Sequence, residues 1–180
     1  MKHTRTSPPS ASPSELAGWF AGRLPEGLYS GPPEITTDDD EVLVVGRIDD
    51  VELPAETTDA AREAARRARI ARFRQETKER RIRVAQDAER LFGRKVSWGV
   101  ECGGVREHFT TLGVPVMTRL RLTERQVLDT LVEAGVARSR SDALGWCVRL
   151  VAEHQGDWIE TLRTALGAVE RARAGGPAPG

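Results

Sequence analysis

The hydrophobic pattern changes period several times along the chain, and each change marks an element. Leu16, Trp19, Phe20 and Leu24 recur at helical spacing behind Ser14, a suitable N-cap, and predict a short helix over Glu15–Arg23 before Gly31-Pro32-Pro33 ends the segment. Glu41–Ile48, EVLVVGRI, is a nearly continuous apolar run, as expected of a strand covered on both faces. From Thr58 or Asp59 to Phe92 the chain is rich in Ala, Arg, Glu and Gln without Gly or Pro, which predicts one long helix closed by Gly93. Its Ile70, Phe73, Ile82, Val84, Leu91 and Phe92 make one narrow stripe, too sparse for a coiled coil. Lys95–Cys102 alternates Val96, Trp98, Val100 and Cys102 against Ser97, Gly99 and Glu101. Gly103-Gly104 turns the chain, and Arg106–Leu112 returns as the second arm of a hairpin.

Beyond Gly113 and Pro115 the period shifts again. Val116, Thr118, Leu120 and Leu122 alternate with Met117, Arg119 and Arg121, the pattern of a strand with one cationic face. Thr123 stands as an N-cap for a helix carrying Val127, Leu128, Leu131 and Val132, which Gly135 closes. Ser139 or Ser141 then caps a second helix with Ala143, Leu144, Cys147, Val148, Leu150 and Val151 on its apolar positions. A lone strand is an unpaired edge, and two such helices hold more apolar surface than it covers. A second copy of the chain, its strand pairing antiparallel, would complete the unit. Asp157–Arg171, with Trp158, Ile159, Leu162, Leu166 and Val169, forms a further amphipathic helix.

The strand, helix, glycine turn and capped helix of residues 116–152 together resemble the ribbon-helix-helix family of DNA-binding proteins, the Arc and MetJ type. The resemblance covers about a fifth of the chain and rests on periods and caps. It implies an intertwined homodimer whose paired strands enter the major groove of double-stranded DNA. Arg119, Arg121 and Met117 would be the base contacts, and Arg138, Ser139, Arg140 and Ser141 the phosphate contact at the second helix's start. A helix-turn-helix also suits Leu122–Gln126 and Gly135, but its recognition helix needs a polar outer face, and residues 143–152 are apolar round most of their circumference. Set beside these readings, two outward arginines also describe a solvated strand face, and Ser-x-Ser before a helix also describes simple capping.

The expected fold class is therefore α+β. A small N-terminal α+β module spans residues 14–112, a ribbon-helix-helix spans 116–152, and an extra helix spans 156–172. A disordered arm over 1–13, whose Lys2 and Arg5 could touch a phosphate backbone, and a disordered tail over 173–180 flank them.

Charge changes the picture only locally. The net charge is zero. Residues 34–59 hold ten acids and one base, whereas residues 60–95 hold thirteen bases and five acids. Arg66, Arg67, Arg69, Arg72, Arg74, Arg80, Arg81 and Arg83 could thus make a secondary nucleic-acid contact, or neutralise the acidic segment before them.

Candidate chemistry is sparse. Asp38 to Glu41 with Asp49, Asp50 and Glu52 could attract a divalent cation but lack the spacing of a calcium loop. Cys102 and His108 lie close together, yet no second pair completes a zinc set and no nucleophile elbow or phosphate loop occurs. The expectation is no catalysis, no metal and no cofactor. Two cysteines, no secretory leader and no long apolar run point to a cytoplasmic protein with no membrane partner, and the resemblance to DNA-binding proteins implies association with the nucleoid. The expected function is a homodimeric, sequence-specific DNA-binding transcriptional regulator. The alternatives are a protein-interaction factor, antitoxin-like or associated with polymerase or ribosome, and RNA binding through the basic helix of residues 60–95.

Overall fold

The structure is a computed structural model and describes residues 11–175. The chain divides into two compact units at Pro115 and Val116. In the first, Ser12 rather than Ser14 begins α1 (Pro13–Arg23). Its hydroxyl accepts the Glu15 N–H, the Glu15 carboxylate accepts the Ser12 N–H at 2.7 Å, and Pro13 occupies the first helical position. The expected arm therefore contributes its last residues to this cap. The rest of it, Lys2 and Arg5 included, lies outside the described residues, as do 176–180 of the expected tail.

The sheet has four strands, β1 (Glu34–Thr37), β2 (Glu41–Ile48), β3 (Lys95–Cys102) and β4 (Val105–His108), in that spatial order. β2 and β3 run parallel, and the outer pairs are antiparallel. β1 carries a single large apolar residue, Ile35, and so left no alternating signal in the sequence. It is fixed by its turn, where the Asp38 carboxylate accepts the N–H groups of Asp40 and Glu41. Those hydrogen bonds hold the Asp38 carboxyl below its usual range. The acids of residues 38–41 thus serve a tight turn.

A parallel pair needs a long crossover, here α2 (Asp59–Glu76) and α3 (Lys78–Phe92). The single long helix expected over 59–92 is divided at Thr77. The Thr77 hydroxyl donates to the Phe73 carbonyl at 2.7 Å and accepts from Arg81 Nε at 3.0 Å, a back-bond that bends helices. Gly93, at φ 70°, closes α3 as expected. The hairpin return is shorter than Arg106–Leu112. β4 stops at His108, and beyond it the Phe109 N–H donates to the Trp98 carbonyl while Thr110 Oγ1 accepts the Trp98 N–H. The core packs Leu16, Phe20, Val42, Val44, Ile70, Val84, Trp98, Val100 and Phe109 between helices and sheet. Phe20 meets Trp98 edge-on, and Trp19 meets Phe92 likewise.

The second unit is α4 (Leu122–Glu133), α5 (Arg140–His154) and α6 (Gly156–Ala174). Residues 116–121 form no strand, which overturns the expected ribbon. The Glu124 carboxylate accepts the Arg121 N–H at 2.6 Å, so Arg121 becomes the N-cap and Leu122 and Thr123 enter the first turn. The α4 terminus is a Schellman motif. Gly135, at φ 75°, donates to the Val132 carbonyl, and Val136 donates to that of Leu131. Ser139 caps α5 by accepting the Asp142 N–H. Among the described residues no helix is long and apolar enough to cross a membrane.

The tightest steric constraint on the sheet is at Gly46, where a Cβ would fall 2.1 Å from the Tyr29 ring. Gly46→Ala should destabilise the first unit by about 1–3 kcal/mol, the cost typical of overpacking. A urea titration followed by tryptophan fluorescence measures it, and an unchanged midpoint would show that Tyr29 has room to yield.

Candidate nucleic-acid interface

Two groups of cationic residues, one in each unit, are the candidates that the sequence offers for a nucleic-acid contact. In the second unit the segment leading into α4 is exposed. Met117 is 95% exposed, Val116 is 84% exposed, and the side chains of Arg119 and Arg121 face solvent. Neither arginine forms an ion pair among the described residues.

The start of α5 is different. Arg140 grips Asp129 with two hydrogen bonds, at 2.6 and 2.7 Å, which hold the Asp129 carboxyl below its usual range. The Asp142 carboxylate accepts the Arg138 backbone N–H at 3.0 Å and approaches Arg138 Nε at 3.4 Å. An acidic side chain thus sits where a phosphate would bind, favoured there by the positive end of the helix dipole. Ser139 is engaged as the cap, and Ser141 is exposed. Geometry therefore leaves Arg119 and Arg121 available and engages Arg138, Ser139 and Arg140 internally.

The basic crossover of the first unit divides in a similar way. Arg66 holds Asp50 through two hydrogen bonds, at 2.8 and 2.5 Å, with this pair against Gly103. Arg67 pairs with Glu63 and Arg72 with Glu76 along α2. Arg69 is half-buried beside a surface groove that it and Arg72 share with Asp50 and Glu52. Arg80 and Arg83 are exposed on α3. Much of the basic helix therefore answers carboxylates, including one from the acidic segment.

Two features escaped sequence reasoning. Arg81 is only 6% exposed rather than turned to solvent. Its signal was position, since Ile70, Phe73, Thr77, Arg81, Val84 and Ala88 follow one another at spacings of three and four, the stripe that faces the core. The other is the uncovered apolar surface of the second unit. Its buried core comprises Leu128, Ala137 and Ala143. Val148 on α5 is 64% exposed, and Trp158 and Leu166 on α6 are 57% and 62% exposed.

No three His, Cys, Asp or Glu side chains among the described residues are placed to hold a metal ion. Cys102 is fully buried, whereas His108 is exposed on β4.

Comparison with known proteins finds a family model described as the Rv1265-like protein, N-terminal domain, matching residues 14–108. The chain belongs to the Rv1265-like family. Residues 121–173 match a second model, the Mb1296 C-terminal domain. That match, together with helices where a ribbon was expected, replaces the ribbon-helix-helix resemblance of residues 116–152. Similar proteins are "Uncharacterized protein Mb1296" of Mycobacterium bovis and "Uncharacterized protein Rv1265" of Mycobacterium tuberculosis. Each is 54% identical over 164 residues, covering 91% of this chain and 71% of the relative. No solved structure matches.

The Arg66 guanidinium, with help from the Val51 N–H, holds Asp50 down to about 2. A depressed folded-state value contributes stability above the ordinary carboxylate range, and loses it as pH falls toward the folded value. Asp50→Asn should therefore melt below the parent at pH 7, and the gap should close between pH ~4 and pH ~2. Thermal melts across that window check the sign; a gap that persists at the lowest pH would assign Asp50 a role other than its charge.

Proposed function

We propose that this protein is a homodimeric DNA-binding regulator. In this reading the C-terminal helices pack against those of a second copy, and Arg119 and Arg121 of both copies meet duplex DNA. The observation that carries it is an apolar helical surface left uncovered in one unit, with two arginines that no carboxylate neutralises among the described residues. Trp158, Leu162, Leu166 and Val169 form a stripe at i, i+4, i+8 and i+11 on α6, and Val148 and Val151 continue it on α5 as exposed positions. Burying such a stripe against its own copy gives a self-complementary, two-fold contact.

The cations support DNA as the partner through their freedom. An arginine already bound to a carboxylate must break that pair to reach a phosphate, whereas Arg119 and Arg121 need not. Phosphate contacts release counterions, so affinity should fall steeply with salt. Arg119 and Arg121 could also read base edges bidentately, which would give sequence preference. RNA binding through the crossover is the second reading: Arg66, Arg67 and Arg72 are paired with carboxylates, whereas Arg80 and Arg83 stay exposed on α3.

Two measurements test this. Analytical ultracentrifugation should show a dimer that Leu162→Glu with Leu166→Glu converts to monomer. Fluorescence anisotropy with duplex DNA should show binding that Arg119→Ala with Arg121→Ala weakens at least ~10-fold, lowering the logarithmic salt slope by about 3 to 4 for four lost phosphate contacts per dimer. A dimer that ignores DNA at low salt would make the chain a protein-interaction factor; a monomer throughout would remove the dimer reading.

A further inference from the structure

The bend between α2 and α3 buries a cation that nothing neutralises. Arg81 donates from Nε to Thr77 Oγ1 at 3.0 Å and from Nη2 to the Arg74 carbonyl at 2.6 Å. Its guanidinium carbon lies 4.6 Å from the centre of the Phe109 ring. Nη1 has no acceptor, and no carboxylate comes within ion-pair distance of Arg81 or of Arg74, among the described residues. Arg74 lies over the same ring at 5.6 Å and donates to the Phe109 carbonyl. The two like charges therefore share one aromatic ring.

A buried charge without a partner is costly. Desolvation lowers the Arg81 pKa, and Arg74 pushes the same way. The opposing influence is Tyr29, which carries no charge at neutral pH because burial lifts its phenol to about 12. The charge is thus held by hydrogen bonds and ring contact, with no anion supplied by the fold.

Beside it opens a cavity of about 720 Å³, within the range of small-molecule sites. Arg74, Lys78 and Arg81 bring three positive charges to its lining, and Glu76 and Glu79 two negative ones, a net of plus one. Ala71, Ile82, Ala85, Val96, Trp98 and Phe109 supply its apolar wall. We propose that this cavity binds a small organic monocarboxylate with a planar apolar body. Arg81 and Arg74 receive the carboxylate, and Trp98, Ile82 and Val96 flank the body. Arg81 offers one nitrogen without an acceptor, Nη1, and the Glu79 carboxylate on the same lining repels a second negative charge, which favours a monoanion over a phosphate monoester that carries nearly two charges at neutral pH. This site lies wholly in the first unit and does not depend on the DNA-binding reading.

The test titrates the full chain with 2-naphthoate, 2-naphthyl phosphate and the neutral 2-naphthalenemethanol, following backbone and Trp98 indole resonances in ¹H–¹⁵N spectra. Naphthoate should shift Trp98, Phe109 and residues of 71–85, and should bind at least ten-fold more tightly than the alcohol and more tightly than the phosphate. Arg74→Gln, an exposed position whose loss leaves the core intact, should weaken naphthoate at least ten-fold and leave the alcohol unchanged. Arg81→Met should abolish the preference for the anion while retaining a dispersed spectrum; if Arg81→Met does not fold, Arg74→Gln decides. Equal binding of naphthoate and alcohol, tighter binding of the phosphate, or an unchanged affinity in Arg74→Gln would overturn the proposal.

Discussion

Three amphipathic helices in about sixty residues cannot hide their own apolar faces, and that constraint governs the second unit. Small domains bury a low fraction of their surface and are marginally stable on their core alone, a margin that a metal, disulfides or a partner widens. Here a single leucine and two alanines are buried, while Val148, Trp158 and Leu166 remain more than half exposed. No disulfide compensates, since Cys102 and Cys147 are both free. The proposed second copy over α5 and α6 would resolve the deficit, and the local devices that fix each helix are already in place. Glu124 holds the α4 start, the Gly135 Schellman turn sets its end, and Ser139 caps α5. The helices are specified by the chain, whereas their cover is not.

The first unit solves the opposite problem, since its sheet and helices bury a full core. Its irregular feature is the bend at Thr77, where one hydroxyl serves both the Phe73 carbonyl and the Arg81 guanidinium. Beside the bend lies a cation, Arg81, at a position that periodicity assigns to the core. Arg66, Arg67 and Arg72, by contrast, are spent on carboxylates. Similar residues in one basic run thus have different fates, set by helix face.

The α+β class, the helices and the central strands were legible because each rests on a strong period or an unambiguous stop, such as the apolar run of 41–48 and the left-handed Gly93. β1 was not legible, since one isoleucine among polar residues carries no alternation. Residues 116–121 misled for the reverse reason. They alternate well, but alternation states only that a strand could form, and pairing decides whether it does. With no strand beside them among the described residues, residues 116–120 stay irregular, and the Glu124 carboxylate makes Arg121 the N-cap of α4 instead. Of the candidate contacts, Arg119 and Arg121 were readable as exposed cations, while the Arg140–Asp129 pair spans eleven positions that no local rule connects. Arg81 shows the limit of counting charges, because its role follows from its place on the stripe.

The proposed dependence of the second unit on a copy of itself is tested most directly by how its stability varies with concentration. A dimer held together through its core melts at a higher temperature as protein concentration rises, by mass action. Circular dichroism melts of the full chain over a hundred-fold dilution should show the transition of α4–α6 moving down as the protein is diluted. A melting temperature independent of concentration, with a single-copy mass throughout, would show that these helices are stable alone and contradict the account.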